Sequence, residues 1–403
     1  MRLVLVTRRY PPLIGGAEKV LSYLAAALAA EGAEVTVLTS RMPGLGLPAL
    51  EEIPIEARGK ASGGRLTVER LETSRLRFWG TWLYIRNLAR WFHRNPVDLA
   101  YVSMLKHDAY VAVDAGRRLG FPVVLRPEGA GATGDIAWQS WGRFGRKIGR
   151  RCRDATAFVA ISKAIEAELK EAWINGTMRP ARPLAAPRGA PAEPRIVSIP
   201  NGVPVPPVPW QRRPDWREAP RAAFVGRLAP EKGLDTLIDA WPTVRASFPD
   251  ARLNLIGEGT ERPALEARAR ALGLTLGPGQ AVELPGVAAD PTAALRDADL
   301  FVLPSREEGM SIALLEAMAL GIPLVASSIP GNRRIISDFK HGRLAPHDDP
   351  EGLARVIIEQ WTNFDRAFHM SRAARSRVEQ EFSIRSVARK HLELFSTLIS
   401  GRR

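Results

Sequence analysis

Apolar residues recur along the chain in short runs, separated by longer segments of helical period. RLVLVT is a first strand, GGAEKVLSYLAAALAAEG a helix and AEVTVLTS a second strand. DLAYVS, the helix-like DAYVAVDAGRRLG and PVVLRPEG continue the alternation, and ATAFVAIS precedes KAIEAELKEAW. This is the βαβ rhythm of a parallel, doubly wound sheet. Residues 176–194 are rich in Pro, Ala, Gly and Arg without periodicity and read as a flexible loop. RIVSIPNGV closes the first half as its last strand, and PVPPVPWQRRPDW reads as an interdomain linker.

The rhythm then restarts. RAAFVGRL, ARLNLIGEG, AVELPGV, DLFVLPS and PLVASS are strands, with GLDTLIDAWPTVRASFP and ERPALEARARALGL among the helices between them. From about residue 367 the pattern is one long, basic, amphipathic helix. Two α/β domains are expected, over 1–204 and 205–375. A terminal helix, 376–403, is expected to pack back towards the first. Such a pair places a cleft between two sets of strand C-terminal ends, where ligands bind.

The segment PSREEGMSIALLEAMALGIPLVAS, residues 304–327, poses a chemical question. Ser311 is an N-cap for IALLEAMAL, and Gly321 and Pro323 stop that helix. Glu308 then sits in the loop at a strand's mouth and Glu316 a turn into the helix. A carboxylate in an apolar helix needs a polar partner, either a protein cation or a ligand.

Composition narrows the classes. The chain has 403 residues, enough for two sizeable cores, and no apolar run approaches membrane-spanning length. MRLVLVTRRY is too short and too soon charged for a signal peptide. The single cysteine, Cys152, forms no internal disulfide, which fits a reducing, cytoplasmic setting. Net charge is +14, of which residues 1–200 carry +12. That excess points to an anionic partner of the first half, or to an Arg-rich composition without one.

Three glycine-containing turns follow strands. In VGRLAPEKGLDTLIDAW, Gly226 ends a strand, Arg227 and Lys232 flank a turn, and Gly233 opens a helix. Cations, free N–H groups and a helix N-terminus together suit a phosphate or pyrophosphate. The alternative is two surface cations paired with Glu231 or solvent. LIGEGTERPALE, with Gly257 and Gly259, reads alone as a structural turn. Gly15 and Gly16 in YPPLIGGAEKV leave room for a phosphate or form a plain turn. The acids of 304–327 have no His or Cys nearby at metal spacing, so no metal is expected.

In this order, these motifs resemble the retaining nucleotide-sugar glycosyltransferases of the GT-B fold, family four. IGGAEKV, FVAISKAI, IPNGV, VGRLAPEKGLDTLIDAW, LIGEG and above all EGMSIALLEAMALGIPLVAS carry the resemblance over nearly the whole chain. It implies an α/β protein of two Rossmann-like domains facing across an interdomain cleft. It implies a cytoplasmic enzyme moving a sugar from a nucleotide-diphosphate-sugar to a glycan, lipid-linked or small-molecule acceptor, with no cofactor or metal. Arg227 and Lys232 would hold the diphosphate, Glu308 the donor sugar and Glu316 the ribose hydroxyls. Gly15, Gly16, Gly226, Gly257, Gly309 and Met310 complete the donor set. A non-catalytic sugar-nucleotide binder or a nucleotide-sugar epimerase are the alternatives.

Two departures stand out. The family's first-domain histidine is absent: RPEGAGATGD offers Arg126, Glu128 and Asp135 there, with His107 upstream. Arg334 also stands where an acid is common. On the acceptor side, RLRFWGTWLYIRNLARWFHR (75–94) interleaves aromatics with arginine, and six basic residues lie between 143 and 153. Both fit docking on an anionic bilayer, or an ordinary core helix with snorkelling arginines and a solvated basic turn. No nucleic-acid-binding module is present.

Overall fold

The computed structural model describes residues 1–12, 15–55, 64–131, 134–178, 194–288 and 290–401. Most of the segment 176–194 lies outside the described residues. The chain divides into two α/β units, residues 1–202 with 384–403, and residues 203–383.

The first unit holds β1 (Arg2–Val6), β2 (Glu34–Arg41), β3 (Leu50–Ile53), β4 (Arg65–Glu72), β5 (Leu99–Ser103), β6 (Val123–Arg126), β7 (Ala157–Ala160) and β8 (Ile196–Ser198). Their order in the sheet is β3-β4-β2-β1-β5-β6-β7-β8. All neighbours are parallel except β3 and β4. β1, β5, β6 and β7 are buried on both faces, which is why they read as unbroken apolar runs. Their side chains alternate between two cores. Leu3, Leu5, Tyr101, Val124 and Val159 enter one, and Val4, Val6, Val102, Leu125 and Phe158 the other.

The second unit holds β9 (Arg221–Val225), β10 (Arg252–Ile256), β11 (Val282–Gly286), β12 (Leu300–Leu303), β13 (Leu324–Ser327) and β14 (Arg343–Ala345). The order is β11-β10-β9-β12-β13-β14, all parallel.

Four expectations change. The units meet at 202/203 and 383/384, not at 204/205 and 375/376. The two crossing segments run side by side, with the Val203 N–H donating to the Phe382 carbonyl at 2.9 Å, so both crossings fall at one place. The long terminal helix is two helices, Phe364–Arg377 and Ile384–Ser400, broken by a π-turn at Val378–Phe382 and extended backbone at Ser383. Only the second joins the first unit, burying Val387, Leu394, Phe395 and Leu398 in the core that also holds the helix Gly16–Ala30. PVPPVPWQRRPDW is not a free linker. Trp210 is buried with its indole N–H on the Ala298 carbonyl (2.8 Å), and Trp216 is stacked on Phe364 at 4.1 Å, so the segment is part of the second unit. Finally, the first sheet is not wholly parallel, because β3 and β4 add an antiparallel edge.

Arg213 of that segment donates to the fully buried Asp299 at 2.7 and 3.2 Å, and the Arg221 N–H adds a third bond at 2.9 Å. Asp299→Ala should destabilise the second unit by about 3–5 kcal/mol, by stranding a largely buried guanidinium. Urea unfolding of the intact chain measures this, and a loss under about 1 kcal/mol would show that the pair is solvated.

Candidate functional site

In the second unit the strand order reverses between β9 and β12, which opens a crevice at their C-terminal ends. β9 runs into Gly226 and Arg227, and β12 into Pro304–Met310. The two loops are pressed together. Gly233 has φ +61, and a Cβ there would lie 2.4 Å from the Pro304 carbonyl oxygen. On the other side of β9, a Cβ on Gly257 (φ +147) would lie 1.8 Å from the Gly226 oxygen. Both turns therefore require glycine.

Arg306 locks the arrangement. Its backbone N–H donates to the Glu231 carbonyl at 2.9 Å and its guanidinium to the Pro230 carbonyl at 2.8 Å. The same guanidinium meets Asp235 at 2.8 Å and Asp348 at 2.5 Å. Burial alone would raise the Asp235 carboxyl, but the Arg306 hydrogen bond and charge outweigh it and hold the carboxyl below its ordinary value. Asp348 is lowered by its bond from His347 and then by Arg306.

Within this frame the Lys232 Nζ reaches Glu308 Oε1 at 2.7 Å, and the Ser305 hydroxyl donates to the same oxygen at 2.8 Å. Both charged side chains are largely buried. Arg227 differs: its side chain is 72% exposed and pairs with Glu231 at 2.7 Å, the surface pairing weighed as the alternative reading. Gly309 is exposed and Met310 partly buried in the same loop. Ser311 caps the helix Ile312–Leu320, accepting from the Leu314 N–H at 3.3 Å, and Glu316 is partly buried in that helix. Arg334 lies exposed in the short helix Pro330–Ile335.

In the first unit the order reverses between β1 and β5. Arg126, at the end of β6, pairs with Glu128 at 2.6 Å and donates to the Asn201 side-chain oxygen at 2.6 Å. The Ser103 hydroxyl, at the end of β5, donates to Glu128, whose own N–H donates to Asp135 at 2.8 Å. Burial raises the Glu128 carboxyl against the lowering effects of Arg126 and Ser103, and it raises Asp135 as well. His107 stands apart from this network. It opens the helix His107–Leu119, half-buried, its ring edge-on to Trp138 at 5.7 Å. Burial, then Arg8 and Lys106, lower its pKa. Gly15 caps the helix Gly16–Ala30 in extended conformation, against the Glu18 carboxylate.

The structure thus brings Arg126, Glu128 and Asp135 together, joins Lys232 to Glu308, and leaves His107 outside. Ser103 and Asn201 were missed. Their only signals were positions at the end of DLAYVS and inside IPNGV. Asp108 was missed too. It is buried near Arg8 and Lys106, and burial pushes its pKa up to about 6. Arg306, which positions the Lys232 turn, carried no signal beyond its place in the loop.

This is the architecture of a GT-B protein, two Rossmann-like units with a strand-end crevice in each. Family models agree: "Glycosyl transferase 4-like domain" matches residues 15–182 and "Glycosyl transferases group 1" residues 219–363. The chain belongs to the group 1 glycosyltransferase family. A glycogen synthase of Mycobacterium tuberculosis is 26% identical over 438 residues, spanning 100% of this chain and 96% of the relative. A phosphatidyl-myo-inositol mannosyltransferase of Mycolicibacterium smegmatis is 36% identical over 166 residues, 40% of this chain and 42% of the relative's length. The same fold occurs in sucrose-phosphate synthase from Thermosynechococcus elongatus, with TM-score 0.75, 19% identity and 99% of both chains covered. It also occurs in Anabaena HepE in complex with UDP-glucose, with TM-score 0.72, 18% identity, and 98% and 100% covered.

Both carboxyls that hold Arg306 have lowered pKa values in the folded state. Their contribution is therefore full above the ordinary carboxylate range and is lost as pH falls below it. The difference in thermal midpoint between wild type and Arg306→Met should shrink from pH 7 towards pH 3. A difference independent of pH would show that Arg306 acts through packing alone.

Proposed function

We propose that the chain is a retaining glycosyltransferase. It would move a hexose-type sugar from a nucleotide-diphosphate-sugar to a glycan, lipid-linked or small-molecule acceptor. The observation that carries this reading is the crevice of the second unit. There the loops after β9 and β12 place Lys232 against Glu308, with Arg227 in the first loop and Glu316 in the helix that follows the second. The fold neighbour bound to UDP-glucose supports a nucleotide-sugar donor, and the relative named as a mannosyltransferase supports transfer of a hexose.

In this reading the donor's diphosphate lies at Arg227 and Lys232, Gly309 leaves its backbone open to approach, and Gly226, Gly257 and Met310 belong to the turns beside it. The bond from the anomeric carbon to the diphosphate oxygen breaks, and negative charge grows on that oxygen. Positive charge at Arg227 and Lys232 stabilises it. The acceptor oxygen bonds to the same carbon on the same face, and its proton passes to the departing diphosphate. Glu308, held by Ser305, faces the sugar, and Glu316 takes the ribose hydroxyls. Lys232 exchanges part of its bond to Glu308 for the phosphate, so the pair keeps an otherwise costly buried charge poised. In the first unit, the Ser103–Arg126–Glu128–Asn201 network is assigned to the acceptor, and Glu128 takes the place of the absent histidine. Cations do the work of a divalent ion, and the single buried Cys152 fits a reducing cytoplasmic compartment.

The test is sugar transfer from a panel of UDP-, GDP- and ADP-sugars, following nucleotide diphosphate release. Arg227→Ala should lower turnover on the order of a hundredfold, as loss of one charge-stabilising donor does. Turnover within about twofold of wild type would remove its assigned role. EDTA should leave the wild-type rate unchanged, and a loss restored by a divalent cation would overturn the metal-free mechanism. Nucleotide-sugar binding lost in Glu316→Ala, without transfer to any acceptor, would identify a non-catalytic binder instead.

A further inference from the structure

The helix Arg77–Arg94 presents two apolar sets with different fates. Tyr84, Leu88 and Phe92, at four-residue spacing, are fully buried in the first unit's core. Nearer its start, Phe78, Trp79 and Trp82 are 67, 62 and 47% exposed. A second segment joins them. Trp141 is 70% and Phe144 60% exposed, and the Arg143 guanidinium sits 4.9 Å from the Phe78 ring centre and 5.2 Å from that of Phe144. Phe144 has φ +63, a left-handed conformation that a bulky residue adopts only at a cost. Five of the six exposed aromatic side chains among the described residues lie in this one patch, so their exposure is not the scatter of an ordinary surface.

Charge accompanies them. Arg86, Arg90, Arg143, Arg146, Lys147 and Arg150 are exposed on the same two segments, and Arg86 lies over the Trp82 ring at 5.1 Å. Residues 75–94 and 136–153 contain no acid. Among the described residues none of these six cations takes part in an ion pair.

We propose that this surface of the first unit docks on an anionic lipid bilayer. Trp79, Trp82 and Phe144 would sit at the headgroup level and the flanking cations on lipid phosphates. Amphipathic rings with apolar bodies and a rim of arginine suit that boundary, where each basic residue adds attraction. A second copy would bring like charge against like. A nucleic-acid duplex would satisfy the cations, but its bases stack on one another and leave the rings without a partner. The proposal is independent of the sugar-transfer reading, because membrane binding is measured without turnover.

The experiment is co-sedimentation of the full chain with phosphatidylcholine vesicles, with and without phosphatidylglycerol. Binding should require the anionic lipid and weaken as salt rises. Arg146→Gln and Arg150→Gln should each weaken partitioning about fivefold. The triple variant Trp79→Ser/Trp82→Ser/Phe144→Ser should lose binding while keeping the wild-type thermal midpoint. No binding to anionic vesicles, or equal binding by all these variants, overturns the proposal. So does a wild-type dimer in solution that the triple variant disperses, since the patch would then face a second copy.

Discussion

In the second unit, two loops approach each other more closely than any side chain permits. Gly233 lies where a Cβ would meet the Pro304 carbonyl, so the turn after β9 packs directly on the loop after β12. Everything chemical there depends on that approach. It sets Lys232 within 2.7 Å of Glu308, and it lets a single guanidinium, Arg306, hold the turn's carbonyls and two carboxylates together. A charge pair as buried as this costs much to desolvate, and the structure meets the cost with the Ser305 hydroxyl and with pre-positioned backbone.

The first unit solves a different problem. Arg126, Glu128 and Asp135 are buried near strand ends, where unpaired charge would be prohibitive. Ser103 and Asn201 complete their bonding. The terminal helix covers the adjoining core. Its His391 bonds the Tyr101 hydroxyl at 3.1 Å, and burial holds that imidazole's pKa down at about 4. The last residues of the chain therefore help to build the first unit's core.

Legibility followed burial. β5, β12 and β13 were plain because strands covered on both faces are apolar throughout. β3, LEEI, is the edge strand and β4, RLTVERLE, lies one strand in; both went unread because charged residues alternate with their apolar ones and break up any apolar run. β14 is three residues long, too short for a period to register. The break at Val378–Phe382 was hidden because amphipathic helices on either side share a period although they serve different units. PVPPVPWQRRPDW resembles a linker by its prolines, but its two tryptophans find buried partners that lie far away in sequence.

By itself, the sequence determined the βαβ order, the presence of two α/β halves, the glycine turns and the Glu308–Glu316 motif. All of these rest on local period, turn chemistry or spacing, which neighbouring residues carry. Only the tertiary structure decided that Lys232 is Glu308's partner, that Arg227 is exposed against Glu231, and that His107 stands outside the Arg126–Glu128–Asp135 network. It also decided that the helix Arg77–Arg94 buries one set of its aromatics and exposes another. The Lys232–Glu308 contact and the place of His107 depend on which strand ends the sheet order brings side by side. That order is set by packing between residues far apart in the chain, and a local pattern does not encode it.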